Sequence, residues 1–148
     1  MNQGFDRIFS TAAGRPIQYK DKLIERMDVI QIEKECHLRV AFLSVDSNWR
    51  QGIRLETKGT FYVNNQVLDK KIVLWQDTAP KEVPIFIKTK NKELIVYNVW
   101  DTGNGSIDAW HNGAAFYKKI DEYSRIYYCN DGHPDDNFDD LVFSIKII

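Results

Sequence analysis

Leu141-Val142-Phe143-Ser144-Ile145-Lys146-Ile147-Ile148 decides the fold. Leu141, Phe143, Ile145 and Ile147 recur at every second residue, with Ser144 and Lys146 between them. Successive side chains of an extended chain point to opposite faces, so this period predicts a strand with one buried and one wet face. The same pattern recurs upstream. Phe116 to Ile120, Arg125 to Cys129, Leu94 to Trp100, Val83 to Ile87 and Ile72 to Trp75 are dense in β-formers. Ile53 and Leu55 alternate with Arg54 and Glu56, and Leu38, Val40 and Phe42 with Arg39, Ala41 and Leu43. Val29, Ile30 and Ile32 form a further short run. Phe61-Tyr62-Val63 stops at Asn64-Asn65, and Lys90-Asn91-Lys92 reads as a tight turn. Pro84 has no N–H to give a ladder, which makes its run an edge strand or a strand start.

Short strands at this spacing predict an all-β protein, an antiparallel sandwich of jelly-roll type. No internal repeat, low-complexity tract or linker divides residues 1–148, so they read as a single domain. Residues 1–16 read as an irregular arm. Leu23, Ile24 and Met27 suggest one short helix over Tyr19 to Met27.

The chain of 148 residues, 43% hydrophobic and 28% charged, suits one soluble globular domain with a substantial core. A net charge of −1 supplies no basic field for nucleic acid, and Lys88-Thr89-Lys90-Asn91-Lys92 and Lys118-Lys119 read as ordinary solvated patches. No apolar stretch approaches the length of about 20 residues needed to span a membrane. The start, Met1 to Arg7, lacks the pattern of a signal peptide, so a cytoplasmic location is expected. Cys36 and Cys129 then read as buried free thiols.

Charge concentrates in Asn130-Asp131-Gly132-His133-Pro134-Asp135-Asp136-Asn137-Phe138-Asp139-Asp140, which holds five of the 21 acidic residues. Residues 131–148 carry a net −4, leaving +3 for the rest of the chain. Crowded carboxylates repel one another unless water, donors or a cation offset the repulsion, and calcium is held by oxygen-rich loops of this kind. Asp135, Asn137 and Asp139 alternate as the first oxygens of helical calcium loops do, although the Gly and Glu of those loops are missing. The candidate calcium ligands are therefore Asp131, Asp135, Asn137, Asp139 and Asp140. The competing reading is an acidic turn whose side chains cap backbone amides.

The ending Asp135-Asp136-Asn137-Phe138-Asp139-Asp140-Leu141-Val142-Phe143 resembles the Asp-x-Asp-Phe-Asn-Asp-Leu-Val close of calcium-associated β-sandwich domains in bacterial surface and secreted proteins. More loosely, Tyr128-Cys129-Asn130-Asp131 is similar to the Tyr-Asn-Asp strand end of calcium-dependent bacterial lectins. The likeness runs from Tyr128 to Phe143 and departs in which positions are Asp and which Asn. It implies a sandwich and a calcium site.

A second segment, Trp100 to Gly113, combines Trp100 and Trp110 with Asp101, Asn104, Asp108, His111 and Asn112. Indole faces beside amides and carboxylates suit a carbohydrate or a protein partner, making Trp100, Asp101, Asn104, Asp108, Trp110 and His111 candidate ligand contacts. The alternative is that both Trp pack inside while glycines shape a hairpin. The three histidines show no ligand spacing, and no nucleophile elbow, phosphate loop or zinc helix occurs.

These features favour a non-catalytic binding module with a calcium ion in the loop of residues 130–140. One alternative is a metal-dependent hydrolase using Asp131, Asp135 or Asp139 with His133. Another is a protein-interaction domain, such as a homodimer built on an exposed strand edge.

Overall fold

A computed structural model describes Phe5, Phe9 and residues 15–110, 114–132 and 137–148. Every alternating run lies in a strand. In chain order these are β1 (Ile17–Tyr19), β2 (Lys22–Ile24), β3 (Asp28–Gln31), β4 (Glu35–Val45), β5 (Arg50–Val63), β6 (Gln66–Trp75), β7 (Glu82–Thr89), β8 (Glu93–Asp101), β9 (Ala115–Ile120), β10 (Ser124–Asn130) and β11 (Leu141–Ile147). The chain is nearly all β, and every strand pairing among the described residues is antiparallel.

β1 and β2 form a separate hairpin, and the other described strands join one curled sheet in the order β3-β8-β5-β7-β4-β11-β10-β9, with β6 beside β5. The pivot is β5, which unites two runs that the sequence pattern separates at Thr57-Lys58-Gly59-Thr60. Arg50 to Glu56 pair with β8, whereas Gly59 to Tyr62 pair with β7. The register against β6 shifts between Glu56 and Thr60. An irregularity of this kind bends a strand and strengthens its twist, which lets one strand serve both halves of a curled sheet. Asn64 and Asn65, at φ 49° and 64°, turn β5 into β6; consecutive positive φ values are those of the hairpin turn whose twist matches its flanking strands.

Pro84 pairs with Arg39 of β4, while β5 meets β7 only from Phe86 onward. The missing N–H therefore falls where one flank of β7 has run past its neighbour.

The curl brings the two ends of the strand order together. Glu25 exchanges backbone hydrogen bonds with Phe116 of β9 at 2.7 and 2.8 Å. Three residues on, the buried Asp28 accepts from Lys118 Nζ at 2.7 Å, Tyr127 Oη at 2.7 Å and Arg125 at 3.0 Å. Lys118 also reaches Glu25, at 3.2 Å. Lys118 is thus held inside a charged network rather than solvated in a turn. Burial alone would raise the Asp28 pKa, but the hydrogen bonds of Lys118 and Tyr127 and the charges of Lys118 and Arg125 outweigh it and hold the value below the ordinary one. Burial raises that of Glu25, and burial with the Asp28 charge and hydrogen bond raises that of Tyr127.

The main core lies inside the curl, where Leu38, Val40, Ile53, Leu55, Phe61, Ile87, Val96, Tyr127, Phe143 and Ile145 pack together. Phe5, Phe9, Ile24, Ala115 and Phe138 make a second cluster. The cysteines Cys36 and Cys129 are buried and free, and burial raises both thiol pKa values.

Two expectations near the N-terminus need correction. Residues Tyr19 to Met27 do not form a helix: Lys20, at φ 53°, turns β1 into β2. Ile24 is fully buried while Leu23 and Met27 are 54% and 42% exposed, so no common helical face is buried. The arm is not merely irregular either, because Phe5 and Phe9 are helical and buried. Their spacing of four residues is that of one helical face. No helix among the described residues is long and apolar enough to cross a membrane.

Candidate functional site

The interior-facing positions of three strands, β5, β8 and β10, turn polar at one end of the curl. Gln51 follows the alternation of Ile53 and Leu55, Asn98 and Trp100 that of Val96, and Asp131 that of Tyr127 and Cys129. All four side chains are buried, at 1%, 3%, 2% and 0% exposure. The acidic loop therefore begins inside the protein. Asp131 Oδ2 accepts from the Ser47 hydroxyl at 2.6 Å and from Gln51 Nε2 at 3.0 Å. The Ser47 hydroxyl oxygen in turn accepts from the backbone N–H of Trp49, fixing the turn between β4 and β5.

The acidic loop closes on itself just above this layer. The backbone N–H of Asp131 donates to Asp140 Oδ2 at 3.0 Å, and that of Phe138 donates to Asn130 Oδ1 at 2.6 Å. The Asn130 carbonyl accepts from Asn98 Nδ2 across the core at 2.8 Å. Phe138, at φ 56°, buries its ring against Phe5 and Tyr117. A bulky residue rarely adopts positive φ, and persists there only where its surroundings hold it. In this loop the second core supplies that hold.

The candidate calcium ligands consequently divide. Asp131 and Asp140 are buried, Asn137 and Asp139 are exposed, and Asp135 lies outside the described residues, as does His133. Among the described residues no three His, Cys, Asp or Glu side chains gather as a metal set.

The tryptophan segment also divides. Trp100 lies inside, stacked on Trp49 with ring centres 6.5 Å apart. It lies under the acidic loop so closely that a Cβ on Gly132 would fall 2.9 Å from its ring. Trp100 and Asp108 exchange backbone hydrogen bonds, closing a hairpin in which Gly103 and Gly105 take positive φ. The Asp101 carboxylate accepts the N–H of both glycines, and Asn104 accepts that of Ser106. These side chains shape the turn, as short polar residues do. Trp110 sits elsewhere: it is 38% exposed, packs at a tilt against Tyr97 with ring centres 4.8 Å apart and donates its indole N–H to the Arg26 carbonyl. The two indoles thus do not share a surface. His111 lies outside the described residues.

Ser47, Gln51 and Asn98 carry no motif, and only their contacts with Asp131 and Asn130 mark them. One signal was available in the pattern, since Gln51 and Asn98 are polar at positions where the strand period calls for apolar residues.

No family model, curated protein or solved structure matches the chain.

Proposed function

We propose that the protein is a non-catalytic binding or interaction module whose loop at residues 130–140 holds a structural calcium ion. The observation that carries this reading is the burial of two carboxylates from one loop, Asp131 and Asp140, with Asp140 bonded to the Asp131 backbone. Two buried carboxylates of one loop repel, and a hard cation with oxygen ligands offsets the repulsion. Exposed Asn137 and Asp139 of the same loop offer further oxygen donors. The partner, a carbohydrate or a protein, would meet the exposed hairpin of residues 101–107, which Trp100 ties to the acidic loop through Gly132. Architecturally, we take the two halves of the curled sheet as leaves of a jelly-roll-like sandwich. The contact of Asp28 with Tyr127 across the strand order supports that reading.

Calorimetric titration of the chelator-stripped protein with calcium is the test. We expect binding heat and a rise in unfolding free energy of about 2.7 kcal/mol at a hundredfold excess over Kd. The absence of both binding heat and a thermal shift would remove the ion from the account. Metal-dependent turnover of an ester or glycoside would replace the module with a hydrolase.

A further inference from the structure

One row of rings and apolar groups crosses the outer face of four strands. In β4, β5 and β7 the core takes Cys36, Leu38, Phe61, Val63, Ile85 and Ile87, so His37, Tyr62 and Phe86 between them point outward. The registers align these side chains: Val67 of β6 opposes Tyr62, Tyr62 opposes Phe86, and Phe86 opposes His37. Ring centres lie 5.5 Å apart from Tyr62 to Phe86 and 4.4 Å apart from Phe86 to His37. Val67 is 64% exposed, His37 is exposed, and Tyr62 and Phe86 are partly so. An exposed apolar patch with a polar rim marks an interaction surface.

The rim selects the occupant. On β4, Glu35 and Arg39 flank the row on opposite sides, each about 7 Å from His37 along the strand. Both are exposed, and neither forms an ion pair among the described residues. A second copy turned by half a turn about the row lays its Arg39 over Glu35 and its Glu35 over Arg39. The same contact then occurs twice, as in an isologous interface. A half-turn about the strand direction through the centre of the row does worse. The neighbouring row runs Glu35, Lys88, Thr60, Asp69, so that rotation sets Glu35 over Asp69, and like charges oppose it. The open edge of β6 is a poor dimer seam, because Lys70 at φ 69° breaks the extended path and Lys71 follows it.

We propose that two copies of this chain dimerise face to face through His37, Phe86, Tyr62 and Val67, with the two-fold axis along that row. The apolar row supplies the affinity, and the Glu35–Arg39 pairs set the symmetry. This goes beyond the calcium reading and does not rest on it. The row crosses β4 at His37, whereas the acidic loop meets the chain past the other end of that strand, where the Asp46 N–H bonds the Asp140 carbonyl.

Sedimentation equilibrium of the full chain should show a dimer, in chelator as in calcium. Glu35→Lys and Arg39→Glu each oppose like charges twice, and each should raise the dimer Kd by about tenfold or more. In a mixture of the two variants, the introduced lysine faces the introduced glutamate, and the remaining Arg39 faces the remaining Glu35. The mixture should therefore form a heterodimer with a Kd near that of wild type. Both positions are exposed, and melting curves matching wild type verify that each variant folds. Val67→Lys, at an exposed site that meets its own copy on the axis, should weaken the dimer by a similar factor. A wild type that stays monomeric leaves the row to a different partner or to solvent and overturns the proposal. A dimer unmoved by the charge reversals or by Val67→Lys overturns it too, as does a mixture that recovers no heterodimer.

Discussion

Gly59→Ala is expected to cost about 3 kcal/mol or more, at the upper end of what overpacking does. A Cβ at Gly59 would lie 1.9 Å from the Lys88 carbonyl oxygen and 2.8 Å from Thr89 Cα. Both are backbone atoms of the neighbouring strand, so no side chain can rotate out of the way. Relief would require β5 and β7 to separate where Gly59 pairs with Thr89 and Phe61 with Ile87. Phe61 and Ile87 are both fully buried, so the separation would also open the core. Gly105→Ala is the control. Open space surrounds it, and its φ of +79° leaves only a strain cost of about 1 kcal/mol. Urea unfolding of both variants decides the matter. Equal, small losses would mean that β5 does not change partner at its bend.

Asp28→Ala is expected to cost about 3 kcal/mol, because it strands the charges of Lys118 and Arg125 in a largely dry site. For a chain of this size the melting point should fall by about 6–12 °C. The network also sets a pH response. The folded-state pKa of Asp28 lies below its ordinary 3.8, so its stabilisation is complete above that value and is lost as the pH falls through the folded-state value. Glu25 has the opposite sign. Its raised pKa means it binds a proton more readily when folded, and this partly offsets the loss of Asp28 on acidification. Unfolding followed from pH 6 to pH 2 should show a shallower acid limb for Asp28→Asn than for wild type. An unchanged limb would show that Asp28 is not the group that joins β3 to β9 and β10.

The strands were legible because burial on one face imposes a period of two. Leu141, Phe143 and Ile145 face the core as their spacing requires, and Pro84 falls where β7 pairs with β4 but not with β5. The first half of β6 was not legible. Gln66 to Lys71 are exposed, so no burial pattern is written into them. The β1–β2 hairpin was misread because Leu23, Ile24 and Met27 satisfy helical spacing, while the choice between turn and helix rests on Lys20 at positive φ. The curl itself is a long-range property: Glu25 meets Phe116, and Asp28 meets Tyr127, across some two thirds of the chain.

At the candidate site, the acidic loop was visible as a charge cluster, but its inside and outside were not. Phe138 anchors the loop in the second core and divides its neighbours, leaving Asp139 exposed and Asp140 buried. Gln51 and Ser47 enter through contacts that span 80 and 84 residues. No local spacing rule reaches that far. In the tryptophan segment, the glycine-shaped hairpin was legible, whereas the separation of buried Trp100 from half-exposed Trp110 depends on Trp49, Tyr97 and Arg26.

The central claim is that an ion occupies the acidic end of the curled sheet. A crystal structure grown with calcium tests it most directly. The account predicts a strong density peak within about 2.3–2.6 Å of carboxylate oxygens of the acidic loop, Asp131 and Asp140 among them. A well-ordered loop in saturating calcium with no such peak would contradict it.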